Sequence, residues 1–277
     1  MTIPKWIEQN NEFILKVSGA KRWHKKGFTG KGVKLLVVEL GDDKHKAMVN
    51  SCKVLAPDTK VLQYQVTNSF DYERMLDYAI KEKVDIINTS FKMDFYEVTK
   101  SYKRVKQKLQ QLIDANVLIF NSMGNYGDES TMIGENAFLN DDVINVGAVS
   151  ITASGKKGVP IRQSYSSYKD KKLDCMGITG YYTKEGGYIT GTSGASPYCA
   201  FLAALYVQKY GRVSPDLLLD KCTLDIGDKE GYDKKTGHGL FVLPIEGKLH
   251  VPMLSKAMIG VHRKYTWYSF KKGYKLR

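Results

Sequence analysis

From Val33 onward, short apolar runs alternate with longer amphipathic stretches. Five of the runs, Val33–Glu39, Val61–Val66, Val84–Ser90, Val117–Asn121 and Val143–Val149, are rich in Val, Ile and Leu. Their near-continuous apolar character predicts strands buried on both faces. Between and after them, helical periodicity marks about His45–Leu55, Tyr72–Lys81, Glu97–Asp114, Ala195–Lys209 and Pro215–Asp220. Strand and helix in alternation is the pattern of a parallel sheet with crossover helices, so the expected fold class is α/β: three α/β/α layers around a mostly parallel central sheet. In such sheets the chemistry gathers at the carboxyl ends of the strands, which draws attention to Glu39, Ser90 and the Asn121–Gly127 segment.

One domain is expected over residues 1–245, since no repeat, low-complexity tract or interdomain linker interrupts it. Residues 246–277 differ, with eight Lys or Arg against the single acid Glu246. They read either as a terminal β-hairpin on the domain or as a basic contact arm. The whole chain carries 42 basic and 29 acidic residues, net +13, which can attract acidic proteins or nucleic acid or serve only solubility. No run approaches the roughly 18 to 20 apolar residues of a membrane span. The first residues lack the apolar centre of a secretory signal, so a cytoplasmic protein is expected. Cys52, Cys175, Cys199 and Cys222 are scattered without paired spacing, and we read them as free thiols. No His, Cys and Asp cluster has zinc spacing and no calcium loop is recognisable, so neither metal nor cofactor is expected.

Three segments carry candidate chemistry. In Tyr188-Ile-Thr-Gly191-Thr192-Ser193-Gly194-Ala195-Ser196-Pro197 a serine lies between glycines just ahead of a small, apolar helix. That placement exposes a hydroxyl near positive backbone dipole, although serine turns and caps are common in themselves. In Val37-Val38-Glu39-Leu40-Gly41 a buried strand ends in a carboxylate, and Asp42-Asp43-Lys44-His45 then leads a histidine to the next helix. At about 3.3 Å of reach per residue, the intervening loop can fold the imidazole back onto the carboxylate. In Phe120-Asn121-Ser-Met-Gly124-Asn125-Tyr-Gly127 a strand breaks into a glycine-flanked asparagine whose amide can point into a cleft.

Together these residues, in the order acid, histidine, asparagine, serine, resemble the subtilisin family of serine proteases. The resemblance covers roughly residues 20 to 245. It includes Gly27-Phe-Thr-Gly30-Lys-Gly32-Val33, Val54-Leu-Ala-Pro57, Ile87-Asn-Thr-Ser90, Val143-Ile-Asn-Val-Gly147-Ala-Val149, Ser164-Tyr-Ser-Ser167 and the closing Gly237-His238-Gly239 turn. It implies a subtilisin-like fold and an endopeptidase acting on a protein or peptide. Ser193 would be the nucleophile, His45 the base and Glu39 the acid, with Asn125 and the Ser193 N–H holding the oxyanion. Ser90, Phe91 and Gly124 would line the peptide cleft, with substrate added as a strand. His238, in its glycine turn, is expected to be structural.

The sequence departs from the family's pattern at several places. The acid is Glu39 where the family has aspartate, with Asp42 or Asp43 as alternatives, and Lys46 follows the histidine where glycine is usual. Phe91-Lys92 stands where the family has leucine and glycine. This implies either a restricted, acid-accepting preference or a cleft closed to peptide. Little room precedes Gly27 for an inhibitory propeptide, which suggests either an intracellular processing enzyme of narrow specificity or a family member that has lost activity. Two other functions remain open at this point: a peptide-binding pseudoenzyme on the same fold, and a nucleic-acid binder working through its basic surface and tail.

Overall fold

A computed structural model describes residues 5–40, 46–93, 100–127, 135–154, 157–182 and 187–244. The chain begins with helices α1 (Lys5–Val17) and α2 (Ala20–His24) and then enters strand β1 (Lys34–Leu40). Helix α3 (Lys46–Cys52) ends in a tight turn over Lys53–Leu55 and leads to β2 (Lys60–Val66). There follow α4 (Ser69–Glu82), β3 (Ile86–Thr89), α5 (Lys100–Asp114) and β4 (Leu118–Ser122). Next come β5 (Ile144–Ser154), β6 (Lys157–Arg162), β7 (Cys175–Thr179) and the short pair β8 (Tyr181–Tyr182) and β9 (Tyr188–Ile189). Helices α6 (Thr192–Tyr210) and α7 (Pro215–Cys222) precede β10 (Thr223–Leu224) and β11 (Leu240–Phe241).

Nine strands form one sheet in the order β10-β11-β7-β5-β4-β3-β1-β2, with β6 paired to β5 off this path. The run from β2 to β11 is parallel; β10 and β6 are antiparallel additions. Alternate side chains explain the three layers. Leu35 and Val37 of β1 join the core around α6, whereas Leu36 and Val38 join the core against α4 and α5. The mostly parallel α/β architecture expected from the sequence is the one present.

The five predicted strands all occur, with ends shifted by a few residues. Helix α1 and strand β7 were not anticipated. In α1 the polar stretch Glu8–Glu12 hides the apolar edge that Ile14 and Val17 bury. In β7 the short Cys175–Thr179 run contains Gly177, which reads as a strand breaker but has a packing reason. A Cβ there would lie 2.3 Å from the Ala195 carbonyl oxygen. Glycine therefore lets α6 approach the sheet.

Helix α6 is buried from Gly194 to Val207, which explains why its sequence is apolar on every face. It starts at Thr192, earlier than the periodicity indicates, so Ser193 lies inside the first helical turn. All four cysteines are free and buried. Among the described residues no helix is long and apolar enough to cross a membrane. Residues 245–277, including the basic extension, lie outside the described residues.

Candidate active site

The sheet register aligns the suspected strand ends. Val38 is level with Thr89, and Thr89 with Asn121, so Glu39, Ser90 and Ser122 leave three neighbouring strands at the same height. Glu39 is buried, with 8% of its surface exposed. His45, together with Asp42 and Asp43, lies outside the described residues; α3 starts at the following residue, Lys46. The structure therefore brings together Ser193, Ser90, Gly124 and Asn125, with Glu39 at the adjacent strand end.

Ser193 and Ser90 hold each other reciprocally. The Ser193 hydroxyl donates to the Ser90 carbonyl at 3.1 Å, and the Ser90 hydroxyl donates to the Ser193 carbonyl at 3.2 Å. Pro197 explains the second bond. Proline has no N–H, so the carbonyl four residues earlier, that of Ser193, loses its helical partner and is available to Ser90. Asn88 extends the support: its Nδ2 donates to Ser90 Oγ at 3.0 Å, and its Oδ1 accepts from Ser196 Oγ at 2.8 Å. The Ser193 turn is thus tied to the end of β3 from both sides.

Asn125 is oriented by the residue beside the serine. Its Oδ1 accepts from the Thr192 N–H at 2.9 Å and the Thr192 hydroxyl at 3.1 Å, and that hydroxyl accepts from the Gly124 N–H at 3.1 Å. With Oδ1 committed, the Nδ2 hydrogens are the amide's remaining donors. Gly191 has φ 87°, and a Cβ there would come 3.3 Å from Asn125 Nδ2, so glycine serves both the turn and the space for the amide. The N–H groups of Thr192, Gly194 and Ala195 all have acceptors. Among the described residues that of Ser193 has none, as expected for a donor in the first turn of a helix.

The segment Tyr165–Ser167 supports both halves of the site. Ser167 N donates to the Gly124 carbonyl at 2.9 Å, Tyr126 N to Ser167 Oγ at 2.9 Å, and Gly127 N to the Tyr165 carbonyl at 2.7 Å. The Tyr165 hydroxyl accepts from Gly191 N at 2.9 Å. Sequence reasoning placed this segment only within the resemblance and assigned no role to Tyr165, Ser167, Thr192 or Asn88; a side chain whose partner is distant in sequence leaves no periodic signal.

A cavity of about 280 Å³ opens beside the serine, with Ser90, Phe91, Lys92, Gly124, Asn125 and Ser193 in its lining. The Phe91 ring packs edge-on against Tyr72, centroids 6.3 Å apart, in the α4/α5 core, and only 8% of the residue is exposed. Its bulk therefore does not close the cleft. Beneath lies a buried amide cluster in which Asn121 Oδ1 accepts from Thr89 Oγ1 and Asn136 Nδ2, at 2.8 and 2.7 Å. Asn121 Nδ2 donates to Asn145 Oδ1 at 3.1 Å. His238 keeps its structural place: its N–H donates to the Asp174 carbonyl at 2.8 Å and its ring meets Tyr232. Among the described residues no group of His, Cys, Asp and Glu could hold a metal ion.

The subtilase family model matches residues 41–239. The chain belongs to the subtilase family. Solved structures agree in fold. A lanthipeptide protease matches with a TM-score of 0.68 at 17% identity, covering 86% of this chain and 94% of its own. A cold-adapted subtilisin-like serine proteinase gives 0.55 at 18%, covering 78% and 90%. MycP1 with its N-terminal propeptide removed gives 0.60 at 14%, covering 84% and 95%. No curated protein sequence matches the chain significantly. This subtilase is thereby placed among serine proteases, whose substrates are proteins or peptides.

One partly buried acid in this subtilase has a consequence for stability. Burial pushes the Asp174 carboxyl up to about 7, against the lowering effect of the Asn145 N–H bonded to it at 2.7 Å. The folded protein thus keeps this proton where the unfolded chain has released it. Its contribution is complete below about pH 4 and is lost as pH rises towards 7, on the order of 3 kcal/mol over that interval. Asp174→Asn keeps an acceptor for Asn145 and removes the titration. Urea unfolding of both proteins at pH 5 and pH 8 should show the wild type losing more stability than the variant over that step; parallel losses would refute the assignment.

Proposed function

We propose that this subtilase is a serine endopeptidase with Ser193 as nucleophile, His45 as general base, Glu39 as the acid that orients the imidazole, and Asn125 as oxyanion donor. The observation that carries the reading is the pair of donors beside the Ser193 hydroxyl: its own unengaged N–H and Asn125 Nδ2, the latter set by Thr192. Asn125 and Ser193 line one cavity at the positive end of α6, where two such donors can stabilise a developing oxyanion.

The chemistry follows in two steps. Ser193 Oγ attacks the scissile carbonyl while His45 removes its proton, and the oxyanion rests on the two donors. Collapse breaks the C–N bond, with the His45 proton passing to the leaving amine. Water, deprotonated by His45, then releases the acyl group and regenerates the serine. In the resting state the Ser193 hydroxyl donates to the Ser90 carbonyl. It must rotate from that acceptor to the imidazole when substrate arrives, and resting geometry commonly tightens in this way. Ser90, Phe91 and Gly124 form the peptide cleft within the domain of residues 1–245. Four free thiols suit a reducing, cytoplasmic setting.

A fluorophosphonate read by intact mass tests this directly. One adduct on the wild type, located at Ser193, is expected. Glu39→Gln should slow labelling by up to about 10⁴-fold, the scale of a lost triad acid, and Glu39→Asp should accelerate it if the extra methylene detunes the pair. A folded wild type that takes no adduct yet binds peptide is a pseudoenzyme, and the proposal falls.

A further inference from the structure

We propose that Tyr181 is a positioning residue for the reacting pair: its buried hydroxyl, bonded at once to the Gly194 carbonyl and to Cys52, sets the spacing between the Ser193 turn and the helix that follows His45. This deepens the endopeptidase reading and rests on Ser193 and His45 as nucleophile and base. The two partners belong to the two helices that the reaction must align. Gly194 follows Ser193 in the first turn of α6, and Cys52 is the last residue of α3, which begins at the residue after His45. Helix α3 has seven residues, a length of about 10 Å at 1.5 Å per residue, so a shift at its Cys52 end is carried to its histidine end.

The direction of the bridge follows from its protons. Burial pushes the Cys52 thiol up to about 12 and raises the Tyr181 phenol as well, so both groups stay neutral. The phenol has one hydrogen, which it donates to the Gly194 carbonyl at 2.8 Å. The thiol sulfur lies 2.7 Å from the same phenol oxygen and therefore donates to it. Tyr181 is 4% exposed and Cys52 1%, so water has little access to replace either bond once it is lost.

The backbone places the phenol for this task. Gly180, at φ 83°, turns the chain out of β7 so that the next residue opens β8. Tyr181 there pairs with Ile189 of β9, shortly before Ser193. It thus meets the serine segment twice, by strand pairing ahead of Ser193 and by its hydroxyl just after it. Gly194 lets that segment seat closely: a Cβ on it would lie 2.7 Å from Ile189 Cγ2 and 3.6 Å from the Tyr181 hydroxyl oxygen. The described residues that line the cavity beside Ser193 do not include Tyr181, Gly194 or Cys52. The bridge therefore acts on the reacting pair and not on the substrate.

Tyr181→Phe keeps the ring and removes both bonds, Cys52→Ala removes one, and Cys52→Ser puts another donor in its place. Fluorophosphonate labelling, kcat and KM on a cleaved peptide, and thermal unfolding are measured for these three and for the double variant Tyr181→Phe/Cys52→Ala, with each rate taken per folded molecule. Tyr181→Phe should lower kcat and labelling by about tenfold, within the roughly 10²-fold that a misplacement of about 1 Å can cost, and leave KM within about twofold. Cys52→Ala should lose about threefold, the scale of one weak hydrogen bond, and Cys52→Ser should recover most of that loss. The double variant should be no slower than Tyr181→Phe alone, because the phenol is common to both bonds. An unchanged kcat in Tyr181→Phe, or losses that multiply in the double variant, overturns the inference. If the folded wild type takes no adduct, the Ser193 amide and the His45 imidazole are followed by NMR instead. Movement of both signals in Tyr181→Phe retains the inference and removes the catalytic reading, whereas a stationary His45 signal overturns it.

Discussion

Ser193→Ala should lower peptide hydrolysis by about 10⁴- to 10⁶-fold, the range for removal of an activated nucleophile, while the fold survives. The small structural cost follows from what the hydroxyl does in the resting protein. It makes a single described hydrogen bond, donating to the Ser90 carbonyl at 3.1 Å, and loss of such a bond costs about 1 kcal/mol. The other tie at this corner uses the main chain of Ser193: its carbonyl, freed by Pro197, accepts from Ser90 Oγ at 3.2 Å and is untouched by the substitution. The measurement pairs kcat/KM on a cleaved peptide with thermal unfolding. Hydrolysis retained above a hundredth of the wild-type rate, in a preparation free of contaminating protease, would exclude Ser193 as nucleophile.

Much of this architecture was legible in the chain because parallel strands buried on both faces must be apolar throughout. Leu35 to Val38 and Leu118 to Phe120 meet that demand, and their runs mark the sheet's centre. Strand β7 escaped because the close approach of α6 demands Gly177, a residue that locally argues against a strand. Helix α1 escaped because only one edge of it enters the core. The glycine-bounded serine and the asparagine turn were both visible, and the fold places them side by side. What joins them was not visible, since it runs between Thr192 and Asn125, between Asn88 and Ser196, and from Ser167 to Gly124 and Tyr126, pairs related only by the folded sheet. Phe91 illustrates the same limit. From sequence its bulk counted against an open cleft, yet its ring turns to Tyr72.

In the proposed mechanism one amide does two jobs with its two ends, so Asn125 is where catalysis and architecture can be separated. Asn125→Ala should reduce kcat by about 10²- to 10³-fold, as for removal of one oxyanion donor, with little change in KM. It also removes the acceptor of the Thr192 N–H and hydroxyl, and two stranded donors cost about 1–3 kcal/mol in stability, depending on how far water enters. Asn125→Asp divides these effects. It keeps the acceptor for Thr192, so unfolding should move little, but it replaces the Nδ2 donor with a carboxylate oxygen facing a developing negative charge. Its kcat should therefore fall at least as far as that of Asn125→Ala, and part of the loss should return on acidification as the carboxyl gains a proton and can donate. Comparable kcat in Asn125→Asp and wild type at neutral pH would mean that the oxyanion is held elsewhere, and that Asn125 serves only to brace Thr192.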